Sequence, residues 1–158
     1  METDSINNEN LQHYTQNDLS MIHNERFEWR KPILVVGKPG SGKTETICQI
    51  VRYYVHKQKN VLVSTPTGLL TSHFRAVLSE DVTCDTVHAA FHLPLSDTER
   101  AKTNWGIAQY DLVVIDEISL ISDDNFKYVI STLNRILFRP VLILGGDISQ
   151  QQPFCERR

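Results

Sequence analysis

The sequence predicts an α/β fold, a mostly parallel sheet with helices on both faces. Two observations carry this. Strand-like and helix-like stretches alternate: Ile33-Leu34-Val35-Val36, a glycine-rich loop and an amphipathic stretch are followed by Val61-Leu62-Val63-Ser64, a polar turn at Thr65-Pro66-Thr67-Gly68 and a second amphipathic stretch. Successive βα units imply parallel strands joined by right-handed crossovers. Further on, Leu112-Val113-Val114-Ile115 and Val141-Leu142-Ile143-Leu144 are apolar throughout, as strands covered on both faces must be.

The elements follow in order. Residues 1–10 are polar and expected to fray. Residues 11–27 offer a helix whose apolar positions (Leu11, Tyr14, Leu19, Met21, Ile22) are sparse, suited to covering an edge of the sheet or site. The expected partition is a polar segment over 1–30 and one α/β domain over 31–158, with Pro32 starting the first strand. Past the glycine-rich loop, Ile47, Ile50, Val51, Tyr54 and Val55 recur at helical spacing. The next helix places Leu70, Phe74, Val77 and Leu78 inward. Val82-Thr83-Cys84 fits a short strand, and residues 86–91 a short helix ended by Pro94. Residues 96–109 are polar and read as a surface excursion. A longer helix carries Phe126, Val129, Ile130, Leu133, Ile136 and Leu137 on one face, with Pro140 as its stop.

At 158 residues the chain is long enough for one well-buried core. Hydrophobic residues are 41% and charged residues 22%, ordinary for a globular chain. The formal net charge of −3 argues against bulk-charge attraction to nucleic acid, though not against a local basic path. Three cysteines with no C-x-x-C do not form a disulfide framework. No apolar run approaches the ~20 residues of a membrane span, and the start METDSINNENLQ has neither the basic nor the apolar region of a secretory signal. An intracellular, nuclear protein without membrane contact is the expectation, with cytoplasm and mitochondria left open.

The chain is organised around Gly37-Lys38-Pro39-Gly40-Ser41-Gly42-Lys43-Thr44, which fits G-x-x-x-x-G-K-S/T at every fixed position. Glycines permit backbone angles and close approaches that a Cβ would block. Their N–H groups can wrap a phosphate at the positive end of the following helix. Lys43 would reach the β- and γ-phosphates of ATP, and the Thr44 hydroxyl would ligate Mg²⁺. Chance alone yields such a match in on the order of one chain in a hundred of this length, and the flanking strand and helix reduce that further.

Ligands of open α/β sheets sit beyond the carboxyl ends of the strands. The strand 112–115 runs into Asp116-Glu117 and the strand 141–144 into Gly145-Gly146-Asp147. The Asp116 carboxylate suits Mg²⁺, and Glu117 is placed to take a proton from an attacking water. The plainer alternative is an acidic helix start; the loop upstream favours the site. Gln150 has an amide able to sense a γ-phosphate, though spacing alone makes it a surface glutamine. Cys84, His88 and His92 fall at i, i+4 and i+8, but Phe91 and Leu93 beside them read as core rather than as a zinc site.

The series GKPGSGKT, VLVSTPTG, CDTVHAAF, LVVIDEISLI and LGGDISQQQP resembles the first half of the motor of superfamily-1 5′→3′ DNA helicases, the RecD-like and PIF-type enzymes. The likeness runs from about Pro32 to Pro153, and the T-P-T-G, T-x-H and G-D-x-x-Q segments are its specific part. It implies a RecA-like P-loop domain that hydrolyses Mg·ATP in step with movement along single-stranded DNA. It places Lys43, Thr44, Asp116, Glu117 and Gln150 at the ATP, and Thr65, Pro66, Thr67, Thr86 and His88 at the DNA. Read bottom-up, the threonines are turn and cap residues. Family members carry an adenine-reading glutamine upstream of the loop; Gln12 and Gln16 are candidates in a poorly matching context. They also carry a second RecA-like domain with an arginine that completes the ATP site, and this chain reads as a fragment that stops before it. Alone it is expected to bind nucleotide, hydrolyse it slowly at most, and unwind nothing. The alternatives are another P-loop ATPase of AAA type, or a nucleotide-binding module without catalysis.

Overall fold

The computed structural model describes residues 32–38, 40–96, 98–99, 102–137 and 139–147, all in the second of two units into which the chain divides, Pro32–Arg158. The helix expected over 11–27, with Gln12 and Gln16, lies outside the described residues, as do Pro39 and Gln150.

Among the described residues, five strands and four α-helices alternate. They are β1 (Ile33–Val36), α1 (Lys43–His56), β2 (Val61–Thr65), α2 (Gly68–Val77), β3 (Thr83–Thr86), α3 (Val87–Phe91), β4 (Leu112–Ile115), α4 (Asp123–Arg135) and β5 (Val141–Gly146). Short 3-10 helices at Trp105–Gln109 and Ile118–Leu120 flank β4. The strand order is β1-β5-β4-β2-β3, and every pairing is parallel.

Burial follows from that order. β2, β4 and β5 are interior and buried at every residue, which is why their sequences are almost wholly apolar. Leu62, Val113, Ile115, Leu142 and Leu144 join Val87, Phe91, Val129 and Leu133 of α3 and α4 in one cluster. The residues between them, Val61, Val63, Val114 and Ile143, are buried outside that cluster, and α1 packs on β1, β2 and β4. With the period of two along a strand, helices therefore cover both faces. β1 sits at an edge, and its Leu34 and Val36 are exposed.

The structure departs from the sequence reading at element ends. The strand expected over 82–84 instead runs from Thr83 to Thr86, at an edge of the sheet, with Val82 before it. Val77, the last residue of α2, is exposed, and Leu78, already extended, takes the buried place. α4 ends at Arg135; Ile136 is buried and Leu137 is exposed. Helical periodicity stops with the helix, so the apolar stripe could not be extrapolated past it.

The polar excursion is anchored. Ile107 is only 1% exposed within the Trp105–Gln109 turn. The Asn104 amide donates to the Ala90 carbonyl at 2.7 Å, and its oxygen accepts from the Gly106 N–H at 2.9 Å. One buried apolar residue thus ties a hydrophilic segment to the core. Ile107→Ala should cost about 2–5 kcal/mol, measured as a lowered urea midpoint with an unchanged slope.

Candidate nucleotide site

The loop after β1 is shaped by backbone geometry. The Gly37 N–H donates to the Gly146 carbonyl at 3.2 Å, which fastens the loop to the end of β5. Gly40 and Gly42 have φ of +77° and +87°, where an L side chain is strained. A Cβ on Gly37 would run into Ser41 Oγ. Gly42 caps the 14-residue α1 without a side chain, so the first-turn N–H groups are left for a ligand at the positive helix end. Ser41 and Thr44 are exposed there.

Lys43 opens α1, and its ammonium donates to Asp116 Oδ1 at 2.8 Å and to Glu117 Oε1 at 3.0 Å. Asp116 directly follows β4; its N–H extends the ladder to the Ser64 carbonyl at 3.0 Å, and its side chain is buried. Consecutive residues of an extended strand point to opposite faces. For both carboxylates to meet one ammonium the chain must turn between them, and Glu117 does so in the left-handed region, φ 53° and ψ 47°. That conformation costs a non-glycine residue about 1–2 kcal/mol. Burial by itself lowers the Lys43 pKa. The hydrogen bonds to Asp116 and Glu117, with the attraction of both charges, outweigh it and leave the pKa raised. The stabilisation from the raised pKa is thus fully present at neutral pH and lost only in strong alkali.

A cavity of about 520 Å³ opens between this loop, Thr44 and Glu45 at the start of α1, Glu117 and Asp147. Asp147 was not singled out from the sequence as a site residue; its signal was the G-D that ends β5. It is 5% exposed. The donor set suits Mg²⁺, because the Thr44 hydroxyl and Asp116 carboxylate are hard oxygen ligands. The left-handed glycines and the open helix start suit a phosphate chain.

The residues that the resemblance assigns to DNA lie outside this cavity. Thr65 is fully buried, its hydroxyl donating to the Thr67 carbonyl at 2.9 Å and sharing a 2.7 Å bond with Thr71 Oγ1, so that side chain holds the turn. Thr67 and Thr86 cap α2 and α3, accepting from the Leu70 and Ala89 N–H groups at 3.3 Å. Pro66, Thr67 and His88 keep exposed surface, and the register Thr65↔Thr86 sets the two segments side by side. His88 Nε2 meets the Asn125 amide nitrogen at 3.3 Å and lines a separate cavity of about 750 Å³ with Ser122 and Tyr128. No sequence motif pointed to Asn125 or Tyr128. Cys84 is buried on β3, and His92 is exposed at the left-handed cap of α3.

A phosphate-type loop after the edge strand, an Asp-Glu pair two strands away and an all-parallel β1-β5-β4-β2-β3 sheet define a RecA-like P-loop domain. The chain belongs to the AAA_19 family, an AAA domain, whose model matches residues 24–156. It is 24% identical to the RecBCD enzyme subunit RecD of Buchnera aphidicola subsp. Acyrthosiphon pisum (strain APS), over 85% of this chain and 24% of that one. Among solved structures it resembles Bacteroides sp Pif1 in complex with ADP-AlF4, with a TM-score of 0.59 and 22% identity over 85% of this chain and 31% of Pif1. A Pif1 structure described for unwinding at forked dsDNA by two coordinating helicases gives 0.55 and 20%, over 90% and 37%. The UvsW helicase from bacteriophage T4 gives 0.52 and 20%, over 85% and 52%. The chain is thus similar to the first motor half of superfamily-1 Pif1/RecD-like helicases, and it spans about a quarter of RecD and a third of Pif1.

If the ion pair is what raises the Lys43 pKa, Asp116→Asn should lower it. The check is the pH titration of the Lys43 side-chain resonances in lysine-labelled protein; an unmoved titration would contradict the assigned cause.

Proposed function

We propose that the chain is the ATP-binding part of a DNA helicase motor that binds and hydrolyses Mg·ATP in step with movement along single-stranded DNA. The observation that carries this is the convergence of Lys43 with Asp116 and Glu117, at 2.8 and 3.0 Å, beside a cavity floored by the glycine loop. The likeness to RecD and Pif1 supports the helicase part of the reading.

On this reading the loop N–H groups bind the phosphates and Lys43 pairs with the β- and γ-phosphates. Thr44 and Asp116 hold Mg²⁺, which supplies charge neutralisation at the phosphates. Glu117, held by its left-handed backbone, takes the proton of the attacking water. Gln150 reads the γ-phosphate, and a second RecA-like domain supplies the arginine. The DNA backbone passes the surface of Pro66, Thr67 and His88, with Thr65 and Thr86 shaping that surface from within.

Lys43→Ala should weaken ATP binding about tenfold or more, the loss of a charge-assisted contact. Equal calorimetric affinity for wild type and variant would sink the site assignment. Glu117→Gln should leave binding nearly intact and slow single-turnover hydrolysis by about 10²–10⁴ in a longer polypeptide with the second domain. Stimulation of that hydrolysis by single-stranded DNA separates a helicase motor from another P-loop ATPase.

A further inference from the structure

We infer that Gly145 is a positioning residue: the missing side chain leaves the hollow on β5 in which Asp116 reaches Lys43. This rests on the reading of the loop as a nucleotide site.

β5 lies between β1 and β4. Neighbouring strands are about 4.8 Å apart, so groups launched from the ends of β1 and β4 face each other across two spacings, over the top of β5. The registers Val35↔Gly145 and Ile115↔Leu144 put Gly145 between the loop and Asp116. A Cβ there would collide with Asp116 Oδ1, the oxygen that holds Lys43, and would lie 3.0 Å from Asp116 Cγ and 3.2 Å from Ile47 Cδ1. Asp116 and Ile47 are both buried, so the carboxylate yields by turning away from the ammonium. Gly145 is not in the left-handed region, so alanine fits the backbone and acts only through its methyl group.

Asp116 and a phosphate compete for the same Lys43 ammonium. Gly145→Ala weakens the carboxylate's hold and shifts that competition towards phosphate. The test is ADP binding by calorimetry in EDTA and then in excess Mg²⁺. Gly145→Ala should bind metal-free ADP severalfold to about tenfold tighter than wild type, with a correspondingly smaller gain from Mg²⁺. General damage to the fold would weaken both affinities instead. Asp116→Ala should show the same tightening, and adding Gly145→Ala to it should change nothing beyond twofold. Unchanged or weakened metal-free affinity in Gly145→Ala, or a full second effect in the double variant, overturns the inference. A thermal-melt cycle is independent of nucleotide. Gly145→Ala should lower the Tm of wild type more than that of Asp116→Ala, because the collision with Oδ1 has gone and only the 3.2 Å approach to Ile47 Cδ1 remains. Equal destabilisation in both backgrounds also overturns it. If no variant or wild type binds ADP, the nucleotide reading fails while the melts still decide the role of Gly145.

Discussion

One ammonium, Lys43, is held by two carboxylates that come to it from beyond an intervening strand. Asp116 is buried, so without a cation its charge would sit desolvated and unpaired beside a second negative group, which is costly. Much of the local structure serves to bring these charges together. The left-handed turn at Glu117 lets successive residues face the same way, and the left-handed glycines bend the loop so that α1 begins beneath it. The bond from Gly37 N–H to the Gly146 carbonyl then fixes the loop against β5.

The parallel sheet turns these local devices into one site. With all strands running the same way, the ends of β1, β4 and β5 share a rim, and the ends of β2 and β3 continue it. Two kinds of chemistry are laid along that rim. The half near β1 is a cavity lined by an ammonium, carboxylates and helix-start N–H groups. The half near β3 is built of capped turns whose threonine hydroxyls are used internally, leaving Pro66, Thr67 and His88 as the surface.

The elements with undiluted signals were legible in the sequence. The interior strands are apolar because both faces are covered, and the loop obeys a strict pattern because its φ angles and close approaches admit few residues. Other features depend on the tertiary arrangement. That β5 lies between β1 and β4 is set by crossovers, and no residue type announces it. Thr65 reads the same whether its hydroxyl faces a ligand or a neighbouring threonine; only its full burial decides. Ile107 is one apolar residue in a hydrophilic run, and the role of Gly145 depends on which side chain passes over it. Leu137, beyond the end of α4, shows that a stripe is only as long as its helix.

Among the described strands, β1 pairs only with β5, and Ile33 lies opposite Ile143. As the chain leaves the ribosome, the strand that presents the loop emerges early and its partner last among the described strands. Bringing them together closes nearly the whole described chain, a long-range contact whose entropy must be met before it is rewarded. Synthesis proceeds at about 5–20 residues per second, so β1 waits for seconds with its edge unpaired, and the loop it carries is not fastened to β5 until β5 exists. The site that needs the tightest geometry is therefore among the last parts of the sheet to be assembled.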